Sequence, residues 1–230
     1  MVKELVGRAV LAYDMAEGVT VTASSRYDEP VVIPSERDIQ NLLAAADRLA
    51  NSRNKLTAKT WRRYRPMLYL AVDSGMRPQE YLVLAKSSLT KTGVEVDRAL
   101  DGGGKEISLT KTRAGRRSIN LSADTLEMVR HYAENHAAKN DYDLVFPTNT
   151  GQWQSVRNWR NRGFASASEE AGLMVKVEED GEAVERPKYK PNDLRHFYAS
   201  MLIEQRVNLK RIQTLMGRRN IQTTLNVYGR

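Results

Sequence analysis

Apolar residues recur at helical spacing along most of this 230-residue chain, and one central stretch breaks that pattern. Between Gly93 and Leu121 the period shortens to a rough alternation, in three short runs separated by the turns DGGG and RAGR. A period near 3.6 residues is typical of a helix packed on a core, whereas alternation is typical of a half-buried strand. The chain is therefore predicted to be mainly α with a small three-stranded antiparallel sheet, an α+β fold. Within that sheet we expect the run at 107–109 to pair with the run at 119–121 across a hairpin.

Composition narrows the class of protein. Hydrophobic residues make up 41% of the chain, which is enough to bury a core. No stretch is apolar over the roughly 20 residues that a membrane span needs. The absence of cysteine excludes disulfides, thiolate catalysis and cysteine-ligated zinc or iron–sulfur sites. Lysine and arginine total 36 against 28 acidic residues, and the formal charge of +8 favours a nucleic acid partner. These features predict a cytoplasmic protein with no membrane partner.

Two regions are expected along the chain. Residues 1–30 are predicted to be a connector, the tail of a preceding domain, because Gly18 and the polar segment TASSRYDEP interrupt an initial helical pattern. Residues 31–230 carry the periodic helices and the alternating runs, and are predicted to form the main domain.

The last 40 residues carry the most informative pattern. Asn192, after a proline, is typical of a helix start, and Arg195 then falls in the first turn, where unpaired N–H groups favour a phosphate. A second helix is expected to begin at Asn208 and to end at Gly217. Tyr228 lies on a later apolar stripe, and taken alone it is more typical of a core tyrosine than of a nucleophile.

Three sequence blocks, in this order and spacing, resemble the tyrosine recombinases of the phage-integrase family over residues 31–230. They are DSGMRPQEYLVLAKSSL, LTKTRAGRRSINLS and LRHFYASMLIEQRVNLKRIQTLMGRRNIQTTLNVY. The first resembles the family's first arginine motif, the second its lysine hairpin and the third its C-terminal motif block. The resemblance implies that residues 31–230 have the tyrosine recombinase catalytic-domain fold.

The resemblance also implies a reaction without metal or other cofactor. A tyrosine hydroxyl attacks a DNA phosphodiester, forms a 3′-phosphotyrosine link and releases a 5′-hydroxyl, and a second strand reverses the step. By position, Tyr228 is the nucleophile, Arg77 and Arg195 stabilise the phosphoryl charge, and Lys111 protonates the leaving oxygen. Glu80, three residues after the first arginine, would orient a partner and not react.

Two positions depart from the family pattern. Asn192 stands where the family often has a histidine, and Arg218 stands where it often has histidine or tryptophan. An amide has no titratable proton near pH 7 and a guanidinium stays protonated, so the general base is not assigned. His196 matches a frequent family histidine and is expected to support the site.

The partner implied is double-stranded DNA, held by a tetramer on DNA and bound weakly by a chain that is monomeric when alone. The resemblance also suggests a bacterial or phage-encoded, nucleoid-associated protein involved in integration or excision by a mobile element. Further basic residues are predicted to contact DNA: Arg113, Arg116, Arg117, Arg157, Arg160 and Arg219.

Other interpretations remain open at this stage. Without the family, Lys111 and the arginines after it equally suit a solvated hairpin tip or a contact to DNA phosphates, and Asn192 is fully explained as a helix N-cap. At the level of function, the two substitutions favour a non-catalytic DNA-binding relative of the same fold. A type IB topoisomerase is a third hypothesis, because it uses similar chemistry.

Overall fold

The computed structural model describes residues 32–109, 115–179 and 181–217. The predicted connector at residues 1–30 lies outside them. The helices are α1 (Glu36–Ala50), α2 (Lys55–Ser74), α3 (Pro78–Tyr81), α4 (Ala123–Asn135), α5 (Val156–Asn158), a π-helical turn (Trp159–Phe164), α6 (Ala165–Glu170), α7 (Asp193–Glu204) and α8 (Leu209–Leu215). The strands are β1 (Gly93–Val96), β2 (Arg98–Leu100), β3 (Ile107–Leu109), β4 (Arg117–Asn120), β5 (Met174–Glu179) and β6 (Glu182–Pro187). A helix-rich chain with small antiparallel sheets confirms the predicted fold class.

Short polar side chains begin most of the longer helices. Asn54 accepts hydrogen bonds from two backbone N–H groups at the start of α2, and Ser122 and Asn208 cap α4 and α8 in the same manner. These contacts satisfy N–H groups that have no partner inside the helix. Gly75 ends α2 in the left-handed conformation, with a φ of 59°, as glycine commonly does at this place.

The strands pair differently from the prediction. β1 pairs with β4, with Val94 opposite Ile119, whereas β3 pairs with β2, with Ile107 opposite Leu100. The expected pairing of 107–109 with 119–121 is therefore wrong, and among the described residues two-stranded pairings replace one three-stranded sheet. Alternation in the sequence shows which face a residue occupies, but it does not identify the partner strand. The segment after the α6 end forms the β5–β6 hairpin.

The core lies around α2, which packs against α1, α4 and α7. Trp159 is fully buried and donates a 2.7 Å hydrogen bond from its indole nitrogen to the Tyr81 hydroxyl, which is equally buried. This contact fixes α3, which follows directly after Arg77, against the π-helical turn. The first arginine of the predicted site therefore stands on a rigid support.

Candidate active site

Arg77 stands at the N-cap of α3, where Pro78 begins the helix with a preset φ. The backbone N–H of Arg77 donates to Glu80 Oε2 at 2.8 Å, and its guanidinium donates to Glu80 Oε1 at 3.1 Å. The Arg77 side chain remains 39% exposed, while that of Glu80 is only 4% exposed. The local sequence thus fixes the base of Arg77 and leaves its charged end accessible.

Arg195 comes from the first turn of α7 and is buried, with 3% of its surface exposed. Its Nη1 donates to the Gly75 carbonyl at 2.8 Å, and its Nη2 donates to the Met216 carbonyl. The ring of Tyr198 packs so closely on Gly75 that a Cβ there would lie 2.3 Å from it. A glycine is needed at this turn, because only glycine permits both the close approach and the left-handed backbone.

Arg117 joins the same cluster from β4. Its Nη2 and Nη1 donate to the two carboxylate oxygens of Glu80 at 2.7 and 3.1 Å, and its Nε donates to the Leu215 carbonyl at 2.6 Å. The sequence predicts Arg117 as a DNA contact on an exposed basic hairpin tip. The structure corrects that placement, because the Arg117 side chain is only 1% exposed and faces the core beside Ile119.

The end of α8 brings these arginines together. Three consecutive carbonyls there, of Leu215, Met216 and Gly217, each accept a hydrogen bond from a different arginine. The donors are Arg117, Arg195 and Arg77, with the last distance 3.4 Å from Nη2. Carbonyls at a helix C-terminus carry partial negative charge, which favours the approach of cations. The result is three guanidinium groups from three elements around one point.

Glu80 is ionised at the centre of this cluster. Burial opposes its ionisation most strongly, but the hydrogen bonds and charge of Arg117, followed by those of Arg77, lower its pKa from the ordinary 4.5. A buried carboxylate with two guanidinium partners is a rigid orienting group.

Asn192 and His196 lie one turn apart at the start of α7. Asn192 occupies the N-cap position, but its side chain makes no capping hydrogen bond. Its amide nitrogen instead lies 3.4 Å from His196 Nε2. Asn192 is therefore at the N-cap by position, as the sequence predicted, but its side chain does not cap the helix and lies beside His196 instead.

The other predicted site residues divide into two groups. Arg116, Arg157 and Arg160 are exposed, as DNA contacts require. Lys111, Arg113, Arg218, Arg219 and Tyr228 lie outside the described residues. Within the described ranges, no group of three or more histidine, aspartate or glutamate side chains is placed to hold a metal ion. No helix there is both long and apolar enough to cross a membrane.

Similarity to solved structures defines the class of fold. The integrase of the Tn1549 transposon, in complex with transposon right end DNA, superposes with a TM-score of 0.65 at 21% identity, over 87% of this chain and 62% of that chain. The XerA recombinase gives a TM-score of 0.62 at 17% identity, over 92% of this chain and 63% of that one. The fold is thus that of a tyrosine recombinase catalytic domain.

The family follows from sequence. The phage integrase family profile matches residues 35–230, and the chain belongs to that family. Tyrosine recombinase XerC of Proteus mirabilis is 26% identical over 219 residues, which cover 95% of this chain and 61% of that protein. A probable integrase/recombinase of Methanocaldococcus jannaschii is 26% identical over 159 residues, 69% of this chain and 43% of its own length. The chain therefore spans about half of these relatives.

Proposed function

We propose that this chain cleaves and rejoins double-stranded DNA at specific sites, through a 3′-phosphotyrosine intermediate. Membership of the phage integrase family supports the proposal. The observation that carries it is the convergence of Arg77 and Arg195, which are distant in sequence, at the end of α8. The Tn1549 integrase, which has the same fold, is in complex with DNA in its solved structure. This supports DNA as the partner of this chain.

The arginines suit the charge that develops in phosphoryl transfer. The transition state spreads negative charge over the non-bridging oxygens, and prepositioned guanidinium groups stabilise it without reorganisation. Arg77 is held at its base by Glu80 while its head is part exposed, so it can reach a phosphate from outside. Arg195 is buried and held from two sides, so its charge acts from a fixed position.

The remaining roles follow from the motif positions. The Tyr228 oxygen forms a bond to phosphorus while its proton passes to solvent water, and the bond from phosphorus to the 5′-oxygen breaks. Lys111 gives its proton to that oxygen, so that a 5′-hydroxyl leaves. Reversal with the 5′-hydroxyl of another strand restores the phosphodiester and Tyr228. We propose a tetramer on DNA, with Arg116, Arg157 and Arg160 on backbone phosphates.

A second candidate function is DNA binding without cleavage. It is favoured by Asn192, whose amide occupies a position where a titratable group is common in the family, and by its contact to His196. A protein with this function would form no covalent link to DNA, which distinguishes it from a recombinase.

Loss of Lys111 tests the chemical part of the proposal. In single-turnover assays on duplexes that carry the site recovered by covalent capture, Lys111→Ala is expected to slow strand cleavage by about 100-fold or more, as is typical for loss of a general acid. A 5′-thiol leaving group needs no proton, so it should restore the rate. Arg113→Ala, two residues along the chain, serves as the control for lost positive charge. If the thiol gives no rescue, Lys111 is a phosphate contact; if a chelator stops cleavage, the metal-free mechanism is wrong.

A further inference from the structure

Arg117 is buried, as Arg195 is, whereas the side chain of Arg77 is 39% exposed. It alternates with exposed neighbours along β4, so its side chain points inward with Ile119. Its guanidinium is engaged by the Glu80 carboxylate and by the carbonyls of Leu215 and Gly115. Because its guanidinium is enclosed and bound to Glu80, Arg117 acts on its partners inside the protein and not on DNA at the surface.

The formal charges of the cluster provide the explanation. Glu80 shares its two oxygens between Arg77 and Arg117, with every contact at 3.1 Å or less. If Glu80 had only Arg77 as partner, the pair would be neutral, and a neutral pair attracts a phosphate weakly. With Arg117 present, the three groups together keep one positive charge. Because Arg117 is enclosed, a phosphate can approach this positive charge only at Arg77.

We propose that Arg117 is a positioning residue that neutralises Glu80, so that Glu80 can orient Arg77 without cancelling its charge toward the scissile phosphate. The inference rests on the proposed function. Arg117 also fastens β4 to the end of α8 through the Leu215 carbonyl, and Arg77 and Arg195 bind the next two carbonyls there. Arg117 does not touch the reacting atoms.

Substitutions that change charge separately from shape test the inference. In Arg117→Gln, Glu80 is expected to pair with Arg77 alone and to cancel its charge. Single-turnover cleavage should then fall by about 100-fold or more, as for loss of an electrostatic contact to the transition state. In the double variant Glu80→Gln/Arg117→Gln, the two amides can pair and Arg77 regains its charge. The double variant should cleave faster than Arg117→Gln by about tenfold or more.

Arg37→Gln is the matched control for lost positive charge, because Arg37 is exposed on α1 and belongs neither to the site nor to the proposed DNA contacts. It should leave both the cleavage rate and the DNA affinity within about threefold. Arg117→Gln should instead retain DNA affinity and lose cleavage. Thermal unfolding of each variant reports whether it is folded at the assay temperature.

The outcomes distinguish a failure of the proposed function from a failure of the inference about Arg117. If the wild-type chain forms no covalent adduct, the proposed function fails. If the wild type cleaves and a folded Arg117→Gln cleaves within about threefold of it, the inference is overturned. If Arg117→Gln does not fold, the double variant decides, because it carries no unpaired buried carboxylate. A folded double variant that cleaves as slowly as an Arg77→Gln variant would show that Arg117 serves structure alone.

Discussion

At the scale of single residues, the site depends on one buried carboxylate. Glu80 is held between Arg77 and Arg117. Burial raises its pKa, but the hydrogen bonds and charge of Arg117, with the backbone N–H and charge of Arg77, outweigh burial and hold the pKa below 4.5. A carboxylate whose pKa is lowered on folding binds fewer protons in the folded state than in the unfolded state. Its contribution to stability is therefore complete above its ordinary pKa and is lost as the pH falls through the folded-state value.

Acid unfolding checks this assignment. The free energy of unfolding of the wild type should fall as the pH drops below about 4.5, and Glu80→Gln should lose the part of that slope that Glu80 contributes. At neutral pH, Glu80→Gln should be less stable by about 3–5 kcal/mol, because it leaves Arg117 buried without a counter-charge. Urea unfolding at several pH values measures both effects. Glu95→Gln, an exposed carboxylate on β1, is the control; an identical acid slope in Glu80→Gln and wild type would contradict the account.

Gly75 is the other residue on which the site geometry depends. An alanine there would place its Cβ 2.3 Å from the Tyr198 ring and would hold a φ of 59°. We expect Gly75→Ala to destabilise the fold by about 2–5 kcal/mol, as the sum of left-handed strain and overpacking. Gly172→Ala is the control, since it has a φ of 70° but no heavy atom within 4 Å of the added Cβ, and it should cost about 1–2 kcal/mol. Equal losses in urea unfolding would mean that the contact with Tyr198 is unimportant.

The sequence predicts the members of the site better than their surroundings. Arg77, Glu80 and Arg195 were predicted from the resemblance to the family's motifs, and the structure brings them together. Arg117 was assigned to the wrong surface, although its parity with Ile119 on the strand was a usable signal that it faces inward. The carbonyls at the end of α8 carry no sequence signal, because every residue has one and only the tertiary fold selects those that meet the arginines.

At the scale of elements, helix ends were predictable and strand partners were not. The caps at Ser35, Asn54 and Asn208 and the glycine at the end of α2 are local chemistry, readable within a few residues. The pairing of β1 with β4 joins strands more than 20 residues apart, and short alternating runs fit more than one partner. The π-helical turn also lacks a local signal, since it depends on Trp159 and Tyr64 packing against Gly163.

The contact between Tyr81 and the π-helical turn gives a prediction at this scale. Tyr81→Phe leaves the buried indole N–H of Trp159 without its acceptor, so we expect a loss of about 1–3 kcal/mol in unfolding free energy. Tyr69→Phe removes a partly exposed hydroxyl whose acceptor, Asp47, keeps its ion pair with Arg65. That control should cost about 1 kcal/mol or less. If the two variants lose equal stability, the Tyr81 hydrogen bond does not secure α3.

At the scale of the whole molecule, the fold places positive charge where a DNA backbone can use it. The chain has a net charge of +8, and exposed arginines lie directly before β4, on α5 and on the π-helical turn, while Arg77 and Arg195 meet at the end of α8. In the proposed function, the exposed charge provides affinity without sequence information, whereas Arg77 and Arg195 act on one phosphate. The central claim is that these two sets serve a reaction that joins the chain covalently to DNA.

Covalent capture of DNA tests that claim most directly. Fragmented genomic DNA from the source would be incubated with the wild-type chain and with Tyr228→Phe, and SDS-resistant complexes would be recovered and sequenced. The account predicts adducts with the wild type that map to one site, withstand a chelator and are absent from Tyr228→Phe, although that variant still binds DNA. Adducts that persist in Tyr228→Phe would contradict the assignment of the nucleophile. Salt-sensitive binding without any adduct would contradict the recombinase account and favour the non-catalytic DNA-binding protein.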